Sequence, residues 1–490
     1  MANFLLNLEH MITNISEIIW PIFIPFMLVL GIYVSIKTIF TIQPKLTKPS
    51  KMKFKNMIGP ASISLGAMVG TGAIVGVLGA ISKLYGGGQH NIEAMVAWAM
   101  IGAMIMIPVS YSETVNSKIM KKGPREYISD LISPKLGLFY GLAMVALMVF
   151  GFGGFQFSGI DSVFTIVADQ FMGVELSLVQ RYAFIVIPVI AIVALVVLSK
   201  KDDIFMNAMT YMIGTALAAY LLFATIFIVK TAGYLPTYFS GVLEGMMNPV
   251  NAGFGIPLGF ILGMQKVLQT VETGLGCLAM SAQQSDSEPR EAGMISLIPS
   301  IMTLFIAIFI TSYIASYGID AGIINYGTPN DAVYRLSSFF NTASSVTGIF
   351  GLIVMALFTV LSAMTTILGS YYYLRKLFKK NAVNKNIVIY LTLIISAGTL
   401  AIFGANVVFE AVDLLLFVCC AMNLVALAVF VTKTTKELKA NAKETLEKLN
   451  NKYDIWIHDN KIGIDGGAVY GGYLYGVILD VHGIKDYVYV

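Results

Sequence analysis

The sequence predicts an all-α polytopic membrane protein with eleven transmembrane helices. One N-terminal extra helix precedes a 5+5 inverted-repeat core that contains two discontinuous helices. Three observations favour this fold class. The 490-residue chain is 57% hydrophobic and 12% charged, whereas soluble domains contain about 25% charged residues. It also has eleven long apolar stretches, and glycine-rich sequences interrupt two of them at their middles.

The eleven apolar stretches approach or exceed the length of about 20 residues at which a helix spans the hydrocarbon core. They cover residues 18–40, 60–82, 93–116, 136–169, 183–198, 206–232, 257–280, 293–317, 346–374, 387–403 and 408–431. Residues 1–17 contain no lysine or arginine. Because a signal peptide begins with a basic region, we interpret the first stretch as an additional membrane helix.

The distribution of basic residues predicts the orientation, because cytoplasmic loops carry the excess of lysine and arginine. Five lysines lie between residues 45 and 55, and further basic residues follow the third, fifth, seventh and ninth stretches. The alternate connections contain little beyond Lys83, Arg181, Lys230 and Arg335. This pattern places the N-terminus outside and the C-terminus in the cytoplasm.

The spans divide the chain into four predicted segments. Residues 1–56 form the extra helix and a basic cytoplasmic loop, residues 57–232 the first repeat of five helices, and residues 233–432 the second repeat. Residues 433–490 form a cytoplasmic tail, with mixed charges followed by glycine pairs and short alternating stretches. Because five is an odd number, the second repeat must run with inverted topology relative to the first.

Two glycine-rich breaks, at residues 70–72 and 273–276, lie in corresponding positions of the two repeats. Such interruptions in paired segments indicate a binding site near the membrane midplane. A broken helix exposes N–H groups that suit a carboxylate and carbonyl groups that suit a cation. The alternative interpretation is that these small residues only allow close helix packing.

Glu272 precedes the second break, and an ionisable residue within a membrane span is a candidate functional residue. It is alternatively a structural carboxylate paired with Lys266. Gln156 lies midway along the fourth span, where its amide orients a ligand or links two helices. We interpret Glu113, Asp161 and Asp413 as structural.

Ser362, Thr365 and Thr366 follow an i, i+3, i+4 spacing, so their hydroxyl groups share one face of the ninth span. Oxygen ligands of this kind suit a hard cation such as sodium. The alternative is that each hydroxyl bonds to a carbonyl of its own helix.

Other classes of function have little support in the sequence. No Walker-type phosphate loop, His-Glu-x-x-His or Gly-x-Ser-x-Gly motif occurs. We therefore expect neither ATP-driven transport nor an enzyme. The cysteines lack the spacing of a zinc site, and the histidines lie outside the predicted spans. The cysteines are Cys277, Cys419 and Cys420, and the histidines are His10, His90, His458 and His482. We expect no cofactor and no nucleic-acid partner.

Several motifs, in order, resemble the alanine or glycine:cation symporters, which share the inverted-repeat fold of the bacterial leucine transporter. The resemblance covers roughly residues 27–431 and includes segments 31–38, 69–76, 111–113, 123–128, 272–276, 365–372 and 413–423. Three of these motifs depart from the family pattern, at four positions. Ala73 replaces an asparagine, Val271 and Thr273 replace an asparagine and an alanine, and Ser370 replaces a tryptophan. The loss of a large aromatic side chain predicts a wider pocket and a somewhat larger substrate.

The resemblance implies sodium-coupled symport of a small amino acid by alternating access across the cytoplasmic membrane. It implies a substrate site formed by Thr71, Gly72, Ala73, Gln156, Thr273, Gly274, Gly276 and Ser370. It also implies a sodium site formed by the carbonyls of Gly66 and Val69 and the hydroxyls of Ser362, Thr365 and Thr366. The expected partners are thus an amino acid, sodium and the lipid bilayer.

Two other functions remain open from the sequence. A transporter of the same fold with proton coupling, or an exchanger, would use Glu272, Glu113 or Asp161 to carry the proton. A transporter-like amino-acid sensor would signal through its C-terminal tail.

Overall fold

The computed structural model describes residues 2–169, 173–251, 255–283, 286–325, 332–377, 383–401 and 405–452, and four strands between residues 456 and 489. The chain divides into two compact units, Met1–Val429 and Phe430–Val490. Within the described residues the first unit is built from helices.

The first half of the larger unit begins with a long N-terminal helix and contains the first broken pair. Its helices are α1 (Ala2–Lys37), α2 (Gln43–Leu46), α3 (Phe54–Met68), α4 (Gly72–Gly86), α5 (Ala94–Met120), α6 (Pro124–Leu131), α7 (Pro134–Val145), α8 (Gly154–Val167), α9 (Leu178–Arg181), α10 (Ile187–Leu198) and α11 (Asp202–Lys230). π-Helical turns join α1 to α2, α7 to α8 and α9 to α10. Each of these pairs therefore forms one continuous span.

The second half contains the second broken pair. Its helices are α12 (Leu235–Met247), α13 (Leu258–Val271), α14 (Cys277–Ala282), α15 (Pro289–Leu304), α16 (Thr311–Asp320), α17 (Ala332–Thr347), α18 (Ile349–Leu377), α19 (Val383–Ala401) and α20 (Ala405–Lys452). A π-helical turn at Phe305–Ile310 joins α15 to α16.

The prediction of an all-α polytopic membrane protein is confirmed. In the described part of the chain nine helices are long and apolar enough to cross a membrane, or ten spans if the bent pair α3 and α4 counts as one. The predicted span 257–280 corresponds to α13 and α14, which have 14 and 6 residues. Each is shorter than a bilayer-spanning helix of about 20 residues. The count of eleven therefore stays a prediction.

Three helices that the apolar stretches did not predict are α6, α12 and α17. Helix α6 is short and begins with a capping box, in which the Gly123 N–H donates to Glu126 Oε2 at 3.1 Å. Helix α17 contains many serine, threonine and asparagine residues. Segments of this length and polarity do not give a transmembrane hydropathy signal.

The two broken pairs lie within the helix packing of the larger unit. Helix α3 packs against α11, α15 and α18, and α13 packs against α4, α5 and α15. Helix α18 is the most extensively buried of the nine long helices. The interrupted segments consequently face other helices of the protein.

The second unit contains the C-terminal end of α20 and two antiparallel hairpins. Strand β1 (Trp456–His458) pairs with β2 (Lys461–Gly463), and β3 (Tyr475–Asp480) pairs with β4 (Gly483–Tyr489). All four strands lie within the predicted C-terminal segment of residues 433–490.

Candidate functional site at the helix breaks

The first break turns the chain by 48° between α3 and α4. Val69 adopts an extended conformation after its N–H donates to the Leu65 carbonyl at 2.8 Å. Helix α4 restarts with the N–H groups of Ala73 and Ile74, which donate to the Gly70 and Thr71 carbonyls at 3.1 and 3.0 Å. Residues 69–71 therefore form a short non-helical segment followed by a new helix N-terminus.

Gln156 on α8 binds this segment at Thr71. Both the backbone N–H and the hydroxyl of Thr71 donate to Gln156 Oε1, each at 2.8 Å. A Cβ at Gly70 would lie 2.8 Å from the Gln156 amide, so the close approach requires glycine. The structure thus brings the predicted residues Thr71 and Gln156 into direct contact.

The other side of the break faces α18. The Thr366 hydroxyl lies 3.2 Å from the Val69 carbonyl oxygen and 3.1 Å from the Ser362 carbonyl. A Cβ at Gly66 would lie 3.4 Å from Thr365 Cβ. The structure therefore places the predicted cation ligands of α3 next to those of α18.

The hydroxyl groups of the predicted cation site bond within their own helix in this structure. Thr365 donates to the Ser362 carbonyl at 2.8 Å, and Ser362 donates to the Thr359 carbonyl at 3.3 Å. Each hydroxyl oxygen keeps its lone pairs for a cation while it donates, and Thr366 also faces the Val69 carbonyl.

The second break, from Glu272 to Gly276, adopts left-handed backbone conformations. Glu272, Gly274 and Gly276 have φ values of 51°, 73° and 98°. Glycine tolerates these values, but a glutamate rarely adopts them. A non-glycine residue held in this region marks local strain of the kind that concentrates at functional sites.

Hydrogen bonds join the second break to three other helices. Thr273 donates its hydroxyl to the Met106 carbonyl at 2.6 Å, and Tyr140 donates to the Leu275 carbonyl at 2.6 Å. Asn423 donates to the Gly274 carbonyl at 2.8 Å. These bonds satisfy polar groups that would be costly to leave unpaired in a membrane.

Asn423 is a connecting residue that the sequence analysis missed. Its amide also donates to Glu113 Oε2 at 3.1 Å and accepts a hydrogen bond from the Tyr127 hydroxyl. Glu113 Oε1 has no hydrogen-bond partner among the described residues. The asparagine therefore ties the second break to α5 and α6.

A cavity of about 20 Å³ lies at the two breaks. Its lining includes Gly72, Ala73, Phe152, Phe155, Gln156, Gln269, Thr270, Glu272, Thr366 and Val412. This volume accommodates about one water molecule. Gly72, Glu272 and Thr366 of α18 thus contribute to one small space, and an amino acid requires a wider conformation.

Glu272 offers an acceptor in this cavity. Its carboxyl group faces Cys277 and Tyr373, and its Oε2 has no hydrogen-bond partner among the described residues. Lys266, the alternative partner considered from sequence, lies 3.8 Å from Asp413 Oδ1.

Gln269 is a second residue that the sequence analysis missed. Its Oε1 accepts a hydrogen bond from Lys266 Nζ at 2.6 Å. Gln265, Gln269 and Glu272 follow an i, i+4, i+7 spacing on an apolar helix. This polar line on α13 was the sequence signal that could have identified it.

The remaining predicted substrate residues lie elsewhere around the breaks. Thr273, Gly274 and Gly276 face α5, α20 and Tyr140, and a Cβ at Gly276 would lie 2.4 Å from the tyrosine oxygen. Ser370 donates to the Ile367 carbonyl at 2.6 Å. The cavity lining does not include these four residues, so their contact with substrate stays a prediction.

The acidic residues interpreted as structural each have a partner. Asp161 forms a two-pronged ion pair with Arg181, whose Nε lies 2.9 and 3.1 Å from the two carboxylate oxygens. Asp413 faces Lys266, and Glu113 binds Asn423.

The sequence profile of the sodium:alanine symporter family matches residues 5–455. The chain belongs to this family. The family consists of membrane transporters, so the chain is a transporter and not an enzyme, and membership implies cation-coupled symport of an amino acid. The resemblance identified from the sequence motifs is confirmed. No curated protein matches the chain in sequence.

Among solved structures, a Na⁺-coupled sialic acid symporter in a substrate-bound, outward-open state has 13% identity and a TM-score of 0.47, with 80% of this chain and 81% of that chain covered. A manganese transporter from Eremococcus coleocola has 12% identity and a TM-score of 0.45, with 79% and 81% covered. The same transporter bound to an aromatic bis-isothiourea compound has 12% identity and a TM-score of 0.43, with 79% and 80% covered.

Proposed function

We propose that this family member is a sodium-coupled symporter of a small amino acid. It would use eleven membrane spans, with the N-terminus outside and two inverted repeats that each open with a broken helix. The observation that supports this best is the double engagement of the first break. Val69 faces Thr366 on one side, and Thr71 binds Gln156 on the other.

The proposed cation ligands and the proposed substrate ligands share one non-helical segment. Sodium would bind the Gly66 and Val69 carbonyls together with the hydroxyl groups of α18. The carboxylate of the amino acid would bind the N-terminus of α4 at Gly72, where N–H groups and the helix dipole favour an anion.

Coupling between sodium binding and amino-acid binding follows from this arrangement. Val69 and Thr71 are two residues apart, so a cation that orders one also orders the other. Whichever ligand binds first reduces the ordering cost for the second, which gives positive cooperativity. Both ligands would then favour the same conformation.

Transport requires the breaks to separate, because the cavity of about 20 Å³ is too small for an amino acid. Alternate opening of the two sides would expose the same ligands to each compartment in turn. One sodium ion that moves inward across 100 mV releases about 2.3 kcal/mol, which corresponds to about a fiftyfold concentration of solute.

Uptake into proteoliposomes tests this proposal. The purified full-length protein is reconstituted, and uptake of labelled alanine is measured with an inward gradient of either sodium chloride or choline chloride. We expect accumulation with sodium and only equilibration with choline. Equal accumulation in choline would contradict sodium coupling.

Proton coupling is the second candidate function. Glu113 Oε1 and Glu272 Oε2 are both buried without a hydrogen-bond partner among the described residues. A buried carboxylate without a counter-charge is costly, and a proton would remove that cost. Uptake in choline that depends on an inward proton gradient would support this candidate against sodium coupling.

A further inference from the structure

Lys266, Gln269 and Asp413 form a buried polar group beside the cavity. Lys266 Nζ donates to Gln269 Oε1 at 2.6 Å and lies 3.8 Å from Asp413 Oδ1. Both charged side chains are almost fully buried. A buried ion pair of this kind adds little net stability, so its geometric effect on Gln269 is of interest.

Lys266 determines which way the Gln269 amide points. A lysine ammonium group can only donate hydrogen bonds, so the glutamine atom that faces it must be the carbonyl oxygen. The Nε2 group is then directed away from Lys266, and it lies 3.8 Å from where a Cβ of Gly72 would be. Gln269 lines the cavity, and its side-chain hydrogen bond among the described residues is the one with Lys266.

The orientation of the Gln156 amide is also fixed by a group that can only donate, but at the first break. The Thr71 N–H, which can only donate, fixes Gln156 Oε1 towards the break. This glutamine reaches residues 70 and 71 from α8, whereas Gln269 reaches Gly72 and Gly76 from α13. The two free amide groups therefore approach the cavity from different helices.

Other hydroxyl groups of the lining are already engaged. Thr270 donates to the Lys266 carbonyl at 2.6 Å, and Thr366 lies 3.2 Å from the Val69 carbonyl. Phe152, Phe155 and Val412 offer no donor. Among the described side chains of the lining, the amide groups of Gln156 and Gln269 thus remain as donors, and the one on Gln269 lies past the non-helical segment, near Gly72 and Gly76.

We propose that Gln269 determines substrate specificity by donating from Nε2 to an oxygen in the side chain of the amino acid. The favoured class is then amino acids with a hydroxyl or carboxamide side chain. Lys266 and Asp413 are positioning residues, which act by holding the Gln269 oxygen. This inference rests on the proposed amino-acid symport.

Competition binding with matched pairs of amino acids tests the specificity. Purified full-length protein in saturating sodium is assayed with serine against alanine and with asparagine against leucine. We expect each oxygen-containing member to bind about tenfold more tightly, as a gained hydrogen bond predicts. Equal affinities within both pairs would overturn the proposal.

Two variants locate the effect at Gln269. Gln269→Met removes the amide at similar volume, and Gln269→Glu keeps a partner for Lys266 but lacks the N–H group. In both, the affinity ratio within each pair should fall about tenfold. Gln180→Met, at a partly exposed helix cap, should keep the ratio. An equal loss for serine and alanine would assign the donor to the carboxylate and overturn the side-chain assignment.

A third comparison tests the positioning role. The double variant Lys266→Met with Asp413→Asn removes both charges together, and its affinity ratio should fall as in Gln269→Met. Lys266→Arg keeps a donor-only group and should preserve the ratio. An unchanged ratio in the double variant would overturn the positioning role.

Failure of the proposed symport would give a different result from failure of the Gln269 assignment. If wild-type protein binds none of the four amino acids, or binds them equally in choline and in sodium, the proposed symport fails. Sodium-dependent binding without a preference within the pairs defeats only the inference about Gln269.

Discussion

Thr71 donates both its backbone N–H and its hydroxyl to one atom, Gln156 Oε1, at 2.8 Å each. This contact joins the first helix break to the middle of α8. It also fixes the orientation of the Gln156 amide, because a backbone N–H cannot accept a hydrogen bond. The contact therefore fixes the Thr71 side of the break to α8.

Loss of the Gln156 oxygen should weaken amino-acid binding. Gln156→Leu leaves two donors of Thr71 without their acceptor, at a cost of about 1–3 kcal/mol for each unsatisfied group. We expect amino-acid affinity to fall at least tenfold in a binding assay with purified protein. Gln180→Leu, at a partly exposed helix cap, should bind as wild type. Wild-type affinity in Gln156→Leu would show that the contact does not organise the site.

The Thr366 hydroxyl should contribute to the sodium response. Thr366→Ala removes the oxygen that lies 3.2 Å from the Val69 carbonyl. We expect the sodium concentration for half-maximal uptake to rise about tenfold. Thr359→Ala is the matched control on the same helix, because its hydroxyl bonds to the Met355 carbonyl at 2.7 Å. Should both variants keep the wild-type sodium curve, the cation site lies elsewhere.

Glycine should be required at position 70. A Cβ there would lie 2.7 Å from Thr366 Oγ1 and 2.8 Å from the Gln156 amide, so Gly70→Ala must displace both side chains. We expect sodium-driven uptake to be lost. Gly214→Ala, where a Cβ meets nothing within 4 Å, should keep wild-type uptake. Full uptake by Gly70→Ala would refute the close packing at the break.

Asn423 should stabilise the second break. Asn423→Leu removes the donor to the Gly274 carbonyl and the partner of Glu113. Each buried group left unsatisfied costs about 1–3 kcal/mol, so the melting temperature in detergent should fall by several degrees. Asn207→Leu, at an exposed position of α11, should melt as wild type. An unchanged melting temperature for Asn423→Leu would show that the network adds no stability.

The sequence predicted the membrane helices and the places of both breaks, because hydropathy and glycine clusters are local signals. It could not predict how the breaks are held. The need for glycine at position 70 arises from Gln156 and Thr366, which are distant in sequence.

The functional residues were harder to predict than the helices. Thr71 and Gln156, which the resemblance assigns to one site, contact each other, whereas Ser370 bonds to the Ile367 carbonyl of its own helix. No role was predicted for Gln269 or Asn423, because an amide in an apolar stretch gains its role only from the partner that it meets in the fold. Lys266 supplies that partner for Gln269, and Gly274 supplies it for Asn423.

The central claim is that sodium and the amino acid order the same non-helical segment. Reciprocal binding measurements on purified full-length protein test it most directly. The dissociation constant of the amino acid is measured with and without sodium, and that of sodium with and without the amino acid. If both ligands order this segment, both constants fall by the same factor, about 5–150-fold for a typical coupling free energy. Amino-acid affinity that does not change with sodium would contradict it.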